Sequence, residues 1–131
     1  MREILFRGKR ADNGEWIYGD LLHDRFLLSD EKICQIYDMN SNLTHRQNIV
    51  IPETIGQYTG LTDKNGKKIF EGDILNGLLS LHPDRTIFRV GCECNGFYFF
   101  DEDRVGWHPD HIVDYEVIGN IHDNPELLGG D

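Results

Sequence analysis

The chain has 131 residues, of which 39% are hydrophobic, and a formal net charge of -10. This length suffices for one hydrophobic core, so we expect a single domain over residues 1–131, with a possible subdivision near residues 38–50. Its 23 acidic residues against 13 basic ones disfavour binding to a nucleic-acid backbone, which is neutralised by clustered Lys and Arg.

The cysteines and the apolar segments bear on the compartment. Cys34, Cys92 and Cys94 are too few, and odd in number, for a disulfide framework, which favours a reducing compartment. Residues 1–10 lack the apolar core of a signal peptide, and no segment approaches the ~20 apolar residues that cross a bilayer. We therefore expect a cytoplasmic protein that does not bind membranes.

The first half of the chain predicts short strands separated by turns. Residues 1–22 read as a β-hairpin around a turn that ends at Gly14, followed by two short strands over residues 25–28 and 32–37. Residues 38–47 are polar and lack periodicity, which predicts a loop. A short strand over residues 48–51 is stopped by Pro52, which begins one helical turn.

The segment over residues 51–74, IPETIGQYTGLTDKNGKKIFEGDI, is the most informative part of the sequence. Asn65-Gly66 is a strong hairpin signal, and Gly72 allows a second tight turn. Glycines can also approach a phosphate, but strands rather than a helix follow them here, so turn geometry explains Gly56, Gly60, Gly66 and Gly72. Asp63 and Asp73 are expected to bond to nearby backbone within turns.

The second half also predicts mainly strands. Residues 85–94 alternate so that Phe88 and Val90 share one face, and residues 97–100 return after a turn at Asn95-Gly96. Residues 101–110 predict a loop, residues 112–121 the last long strand, and residues 124–128 a helical turn. With about nine or ten strands and closely spaced bends, the fold class is mainly β, with a small bent barrel, hairpin extensions and one or two short helical turns.

Few residues suggest chemistry. His108 and His111 lie near acidic residues, and Cys92 and Cys94 would share one face of a strand, but exposed loop histidines and buried apolar cysteines explain these patterns. A thiolate metal site needs about four ligands. We expect no catalytic, cofactor-binding or metal-binding residues, and an enzyme is not expected.

Three segments together resemble the YopX family of phage and prophage proteins: FRGKR with GEWIYGDLL, PETIGQYTGLTDKNGKKIFEGDI and YEVIGNIHDNPELL. The resemblance implies a phage or prophage origin, the bacterial cytoplasm as compartment, and a mainly β fold with an SH3-like or related small barrel. It brings no catalytic residues. The turn residues that carry its central motif are Gly56, Gly60, Asn65, Gly66, Gly72 and Asp73.

Two functions remain open. The first is a phage accessory protein that acts as an interaction or self-assembly module, with a host or phage protein or a homo-oligomer as partner; its surface would be Trp16, Tyr18, Tyr58 and Trp107. The second is a small barrel that binds single-stranded nucleic acid, which the net charge disfavours. Its cations would be Arg7, Lys9, Arg10, Lys64, Lys67 and Lys68.

Overall fold

The computed structural model describes residues 3–25, 32–38, 41–44, 46–80, 84–93 and 96–128. The chain divides into two compact units, residues 1–58 and residues 59–131. All strand pairs are antiparallel, and within the described ranges the helical residues form only short 3-10 turns. The predicted mainly β fold class is therefore confirmed.

The first unit consists of one sheet. In the order β4-β3-β2-β1-β5, it contains β1 (Phe6–Lys9), β2 (Trp16–Arg25), β3 (Lys32–Tyr37), β4 (Ile49–Val50) and the beginning of β5 (Gly56–Thr62). The predicted turn between the first two strands is present, and Gly14 takes a φ of +76° in it. The predicted helical turn at Pro52 is also present, whereas the strand expected over residues 25–28 lies mostly outside the described residues.

The core of the first unit contains the buried residues Cys34, Ile36 and Val50. Because side chains alternate along a strand, the same face of the sheet also carries Phe6 and Ile17, which are half-buried against this cluster. Gly8 lies on β1 where a Cβ atom would come within 3.1 Å of both Ile36 and Val50. The missing side chain at this position lets β1 pack closely against the core.

The second unit contains the rest of β5, its neighbour β6 (Lys68–Phe70), and a five-stranded sheet in the order β10-β9-β8-β7-β11. That sheet comprises β7 (Asp73–Leu79), β8 (Arg85–Glu93), β9 (Gly96–Phe100), β10 (Gly106–Trp107) and β11 (Ile112–Asn120). Residues 76–79 continue β7. The segment predicted as a loop over residues 101–110 contains β10, a strand of only two residues.

The core of the second unit is larger and more aromatic. It contains Ile69, Leu75, Phe88, Val90, Phe99 and Ile112. The Phe99 ring lies 6.4 Å from Phe88 and 5.3 Å from Tyr115, in tilted and edge-to-face arrangements that aromatic pairs prefer. Phe88 and Val90 lie on the buried face of β8, as their alternation predicts.

The sheets in the described part of the chain are open, in contrast to the small barrel expected from the closely spaced turns. Closure of a barrel requires the first and last strands of a sheet to pair along their length. β4 and β10 end their sheets but contain only two residues each, and the outer edge of β11 is bonded to a turn instead of a strand. Hairpin signals specify local reversals of the chain and leave open whether the end strands meet.

Candidate interaction surface

Alternate residues of β2 place Trp16, Tyr18, Asp20 and Leu22 on one face of the first unit's sheet, which we call the β2 strip. Tyr18 is 44% exposed and Leu22 is 49% exposed, whereas Trp16 is half-buried. Two large apolar side chains therefore face solvent on a single strand, and each lies two residues from Asp20.

Two cations of β1 lie beside the β2 strip. Lys9 is paired in register with Trp16, and Arg7 with Tyr18. The Arg7 guanidinium lies 4.7 Å and the Lys9 ammonium 5.5 Å from the centre of the Trp16 ring, which are distances of cation–π interactions. These contacts orient the indole ring and place the Lys9 ammonium and the buried Arg7 guanidinium beside this end of the strip.

A small cavity of about 210 Å³ adjoins Tyr18. Its lining consists of Ile17, Tyr18, Ile36, Asp38, Ser41, Leu43 and Asn48, so the loop predicted over residues 38–47 contributes to it. Small-molecule pockets measure about 300–1,000 Å³, so this cavity fits a single inserted side chain better than a ligand.

The other two residues of the predicted surface have packing roles. Tyr58 lies in β5, is only 7% exposed, and donates its backbone N–H to Leu5. Trp107 is half-buried against the second core, and its indole Nε1 donates a hydrogen bond of 2.9 Å to Asp101 Oδ2. Of the four predicted surface residues, Trp16 and Tyr18 are therefore brought together on one strand.

The turn at Asn65-Gly66 is organised by the carboxylate of Asp63, which is 6% exposed. Asp63 Oδ1 accepts hydrogen bonds from the N–H groups of Asn65 and Lys67, and Oδ2 accepts one from Val117, each at 2.9 Å. Burial by itself raises the pKa of Asp63, but the bonds from Val117, Lys67 and Asn65 outweigh it and lower the pKa below its ordinary value. Gly66 takes a φ of +82° in this turn.

The same turn covers the edge of β11 that is not paired with β7. Besides the bond from Val117 to Asp63, the N–H of Lys64 donates to the carbonyl oxygen of Tyr115, and Asn65 Nδ2 donates to Glu116 Oε2. An uncovered edge strand is a template for pairing with other chains. The residues of the central motif thus close a sheet edge, a role that the local hairpin signal does not reveal.

The second turn of the motif is held by Asp73, which is buried. Its Oδ2 accepts the N–H of Phe70 at 2.8 Å, within three residues as expected from the sequence. Gly72 takes a φ of +93°; its N–H donates to the carbonyl of Val90, and its carbonyl accepts the N–H of Ile121. Gly60 has a φ of +88° within β5, and the buried Gly56 begins that strand. These positions have backbone roles.

The residues that could have suggested chemistry are dispersed. His108 Nδ1 accepts the N–H of Asp110, and the His111 ring packs edge-on against Trp107. Cys92 is exposed, and Cys94 lies outside the described residues. Within the part of the chain that the structure describes, no group of three or more His, Cys, Asp or Glu side chains is arranged to hold a metal ion.

No helix among the described residues has the length and apolar character needed to span a membrane. The family model described as YopX protein matches residues 5–129. Among solved structures, protein EF1440 from Enterococcus faecalis is similar, with a TM-score of 0.55 and 25% sequence identity over 98% of this chain and 99% of that chain. A comparison with curated proteins gave no significant match.

Proposed function

Because the chain belongs to the YopX family, for which the sequence resemblance implies a phage or prophage origin, we propose that it is a phage accessory protein of the bacterial cytoplasm that acts as an interaction module. Its partner in this proposal is a second copy of the chain, which binds through the β2 strip. The carrying observation is the exposure of Tyr18 and Leu22 on the same face of one strand. Aromatic side chains of this kind contribute most of the binding energy in many interfaces.

The charges along the β2 strip favour a second copy as the occupant. The positive end carries Lys9 beside Trp16, and the negative end carries Asp20, four residues further along β2 and so ~13 Å away at 3.3 Å per residue. A two-fold axis near Tyr18 brings Lys9 of each copy to Asp20 of the other and stacks the apolar side chains between them. A surface that is complementary to itself is what a symmetric dimer requires.

Sedimentation velocity over a series of protein concentrations tests this proposal. The wild-type chain is expected to form a dimer, and Tyr18→Asp is expected to weaken it by about 30-fold or more, because it removes a central aromatic contact. Val113→Asp is the matched control, since Val113 is 46% exposed on β11 in the second unit. A wild-type chain that stays monomeric, or equal dissociation of both variants, would overturn the proposal.

A charge exchange tests the arrangement within the dimer. Asp20→Lys and Lys9→Glu each place like charges together, so either variant alone is expected to weaken the dimer. The double variant restores opposite charges and is expected to recover most of the lost affinity. Single variants that leave the dimer affinity unchanged would contradict a pairing of Lys9 with Asp20. So would a double variant whose loss of affinity equals the sum of the two single losses.

A single-stranded nucleic acid is the second candidate partner, because Trp16 lies beside Lys9, and an aromatic ring beside a cation can stack on a base and contact a phosphate. The net charge of -10 and Asp20 on the same face oppose it. Fluorescence anisotropy with a labelled oligothymidine distinguishes the two. Binding of the oligothymidine that weakens steeply with salt and is lost in Trp16→Ala would support this candidate. No binding of the oligothymidine at low salt would exclude it.

A further inference from the structure

We propose that the second unit binds a small organic anion, a carboxylate or phosphate on an apolar body, in a cavity of about 410 Å³. This volume is within the range of small-molecule sites. The cavity combines two guanidinium groups with apolar and aromatic side chains, and its lining consists of Ile87, Arg89, Phe100, Asp101, Glu102, Arg104 and Leu128. The proposed interaction through the β2 strip does not involve this cavity, since all of its lining residues belong to the second unit.

The two arginines supply the positive charge. The Arg89 guanidinium lies 5.0 Å from the centre of the Phe100 ring, so it is oriented by a cation–π contact. Within the described residues, neither Arg89 nor Arg104 forms an ion pair. Guanidinium groups bind carboxylates and phosphates through paired hydrogen bonds, and here they line one cavity in a chain with a large excess of acids.

The carboxylate of Asp101 is bound by the turn that precedes β10 and forms no ion pair with Arg89 or Arg104. Asp101 Oδ1 accepts the N–H groups of Asp103 and Val105, and Oδ2 accepts Trp107 Nε1. Burial raises the pKa of Asp101, but the bonds from Trp107, Val105 and Asp103 lower it overall, so the carboxylate stays ionised and bonded. Its role in the cavity is to hold the turn.

Arg104 stands at a strained position of that turn. Its φ is +62°, in the left-handed region where Gly or Asn is usual, and its N–H donates to the carbonyl oxygen of Asp101. An arginine brings no backbone advantage there and costs conformational energy, and such strain tends to be kept where the side chain has a function. The function that the geometry offers is the positive charge at the cavity.

The apolar wall is fixed before any ligand binds. Phe100 is enclosed by two glycines, since a Cβ at Gly91 or at Gly106 would come within 2.8 or 2.9 Å of its ring. Ile87 and Leu128 add aliphatic surface. Because two guanidinium groups lie beside an apolar wall, an anion that carries a hydrocarbon body fits the site better than a simple inorganic anion.

Calorimetric titration of the full chain with phenyl phosphate and with phenylacetate tests the proposal, since both share a ring and differ in the anionic group. At least one is expected to bind more tightly than inorganic phosphate and than neutral benzyl alcohol, and the stronger of the two identifies the anion. The proposal would be overturned if neither phenyl phosphate nor phenylacetate bound. It would also be overturned if inorganic phosphate or benzyl alcohol bound as tightly as these two compounds.

Substitutions make the test specific to the site. Arg104→Gly is expected to reduce the affinity by about tenfold or more. The same substitution is expected to keep or raise the thermal midpoint, because Gly relieves the strain at a positive φ. Glu102→Gln removes from the cavity a negative charge that repels the anion, so it is expected to strengthen binding. Arg46→Gln removes the same charge from the first unit and is the control. An unchanged affinity in Arg104→Gly would contradict the site. A loss of affinity in Arg46→Gln equal to that in Arg104→Gly would also contradict it.

Discussion

The two units of the chain differ in how side chains bond to their turns. In the second unit, the carboxylates of Asp63, Asp73 and Asp101 each accept backbone N–H groups. In the described part of the first unit, two buried neutral side chains bond to the backbone: Thr54 accepts the N–H of Lys9 and donates to the carbonyl of Ile51, and the Asn48 amide donates to the carbonyl of Thr44. Hydrogen bonds to ionised groups are about twice as strong as neutral ones. We therefore expect the second unit to be the more stable scaffold.

The cores follow the same division. Among the described residues, six buried hydrophobic residues form the second core, including two phenylalanines, whereas three form the first. The first unit instead leaves Tyr18 and Leu22 exposed on the β2 strip. Under the proposed function, the second unit provides stability while the first presents the surface for interaction.

The largest expected effect is that of Phe99→Ala in the second core. Phe99 is fully buried, so removing its ring is expected to lower the free energy of unfolding by about 4 kcal/mol. Val50→Ala in the first core removes two methyl groups and is expected to cost about 2 kcal/mol. Urea unfolding monitored by circular dichroism measures both, and an equal or larger cost at Val50 would contradict the close packing of Phe99 in the second core.

Asp63→Ala is expected to lower the free energy of unfolding by about 3 kcal/mol, because it leaves N–H groups of the turn and of β11 without their acceptor. It also uncovers the edge of β11, so increased aggregation is expected. Thr62→Ala, at the exposed neighbouring position, serves as the control and is expected to change stability little. Similar unfolding curves for the two variants would show that the carboxylate is not required.

Gly19→Ala tests the first unit. A Cβ atom at this position would lie 2.1 Å from the carbonyl oxygen of Tyr37, so the contact between β2 and β3 must open. A cost of about 2 kcal/mol is expected, as for other overpacked sites. Because the change lies in the first unit, amide chemical shifts are expected to move mainly there; shifts centred on the second unit would contradict this locality.

The smallest expected effect is a gradual loss of stability in acid. The pKa of Asp63 is lower in the folded chain than its ordinary value, so its contribution is fully present above pH ~4 and is lost as the pH falls through the folded pKa. Unfolding free energies from pH 7 to pH 2 are expected to fall more steeply for the wild-type chain than for Asp63→Asn. Parallel pH profiles would show that Asp63 does not couple to folding.

The sequence predicts the features that depend on neighbouring residues. The turns at Gly14 and Asn65-Gly66, the helical turn at Pro52 and the alternation along β8 are all found, because short-range geometry determines them. The central motif predicts that Asp63 bonds within its own turn, and it does so through Asn65 and Lys67.

Features that depend on distant residues could not be predicted. Asp63 also binds Val117, 54 residues away, and Tyr58 is buried rather than exposed. The open sheets depend on which end strands meet, and no local pattern encodes that. The positive φ of Arg104 is equally hidden, since the residue type gives no sign of a left-handed conformation.

Residue-resolved amide hydrogen exchange compares local stability in both units within one sample, so it shows whether the second unit is the more stable scaffold. The amides of Val117 and Phe70, which donate to buried carboxylates, are expected to exchange most slowly, at a rate set by global unfolding. The amides of β2 are expected to exchange faster. If amides of the first unit exchange more slowly than Val117 and Phe70, the second unit is not the scaffold and the account is wrong.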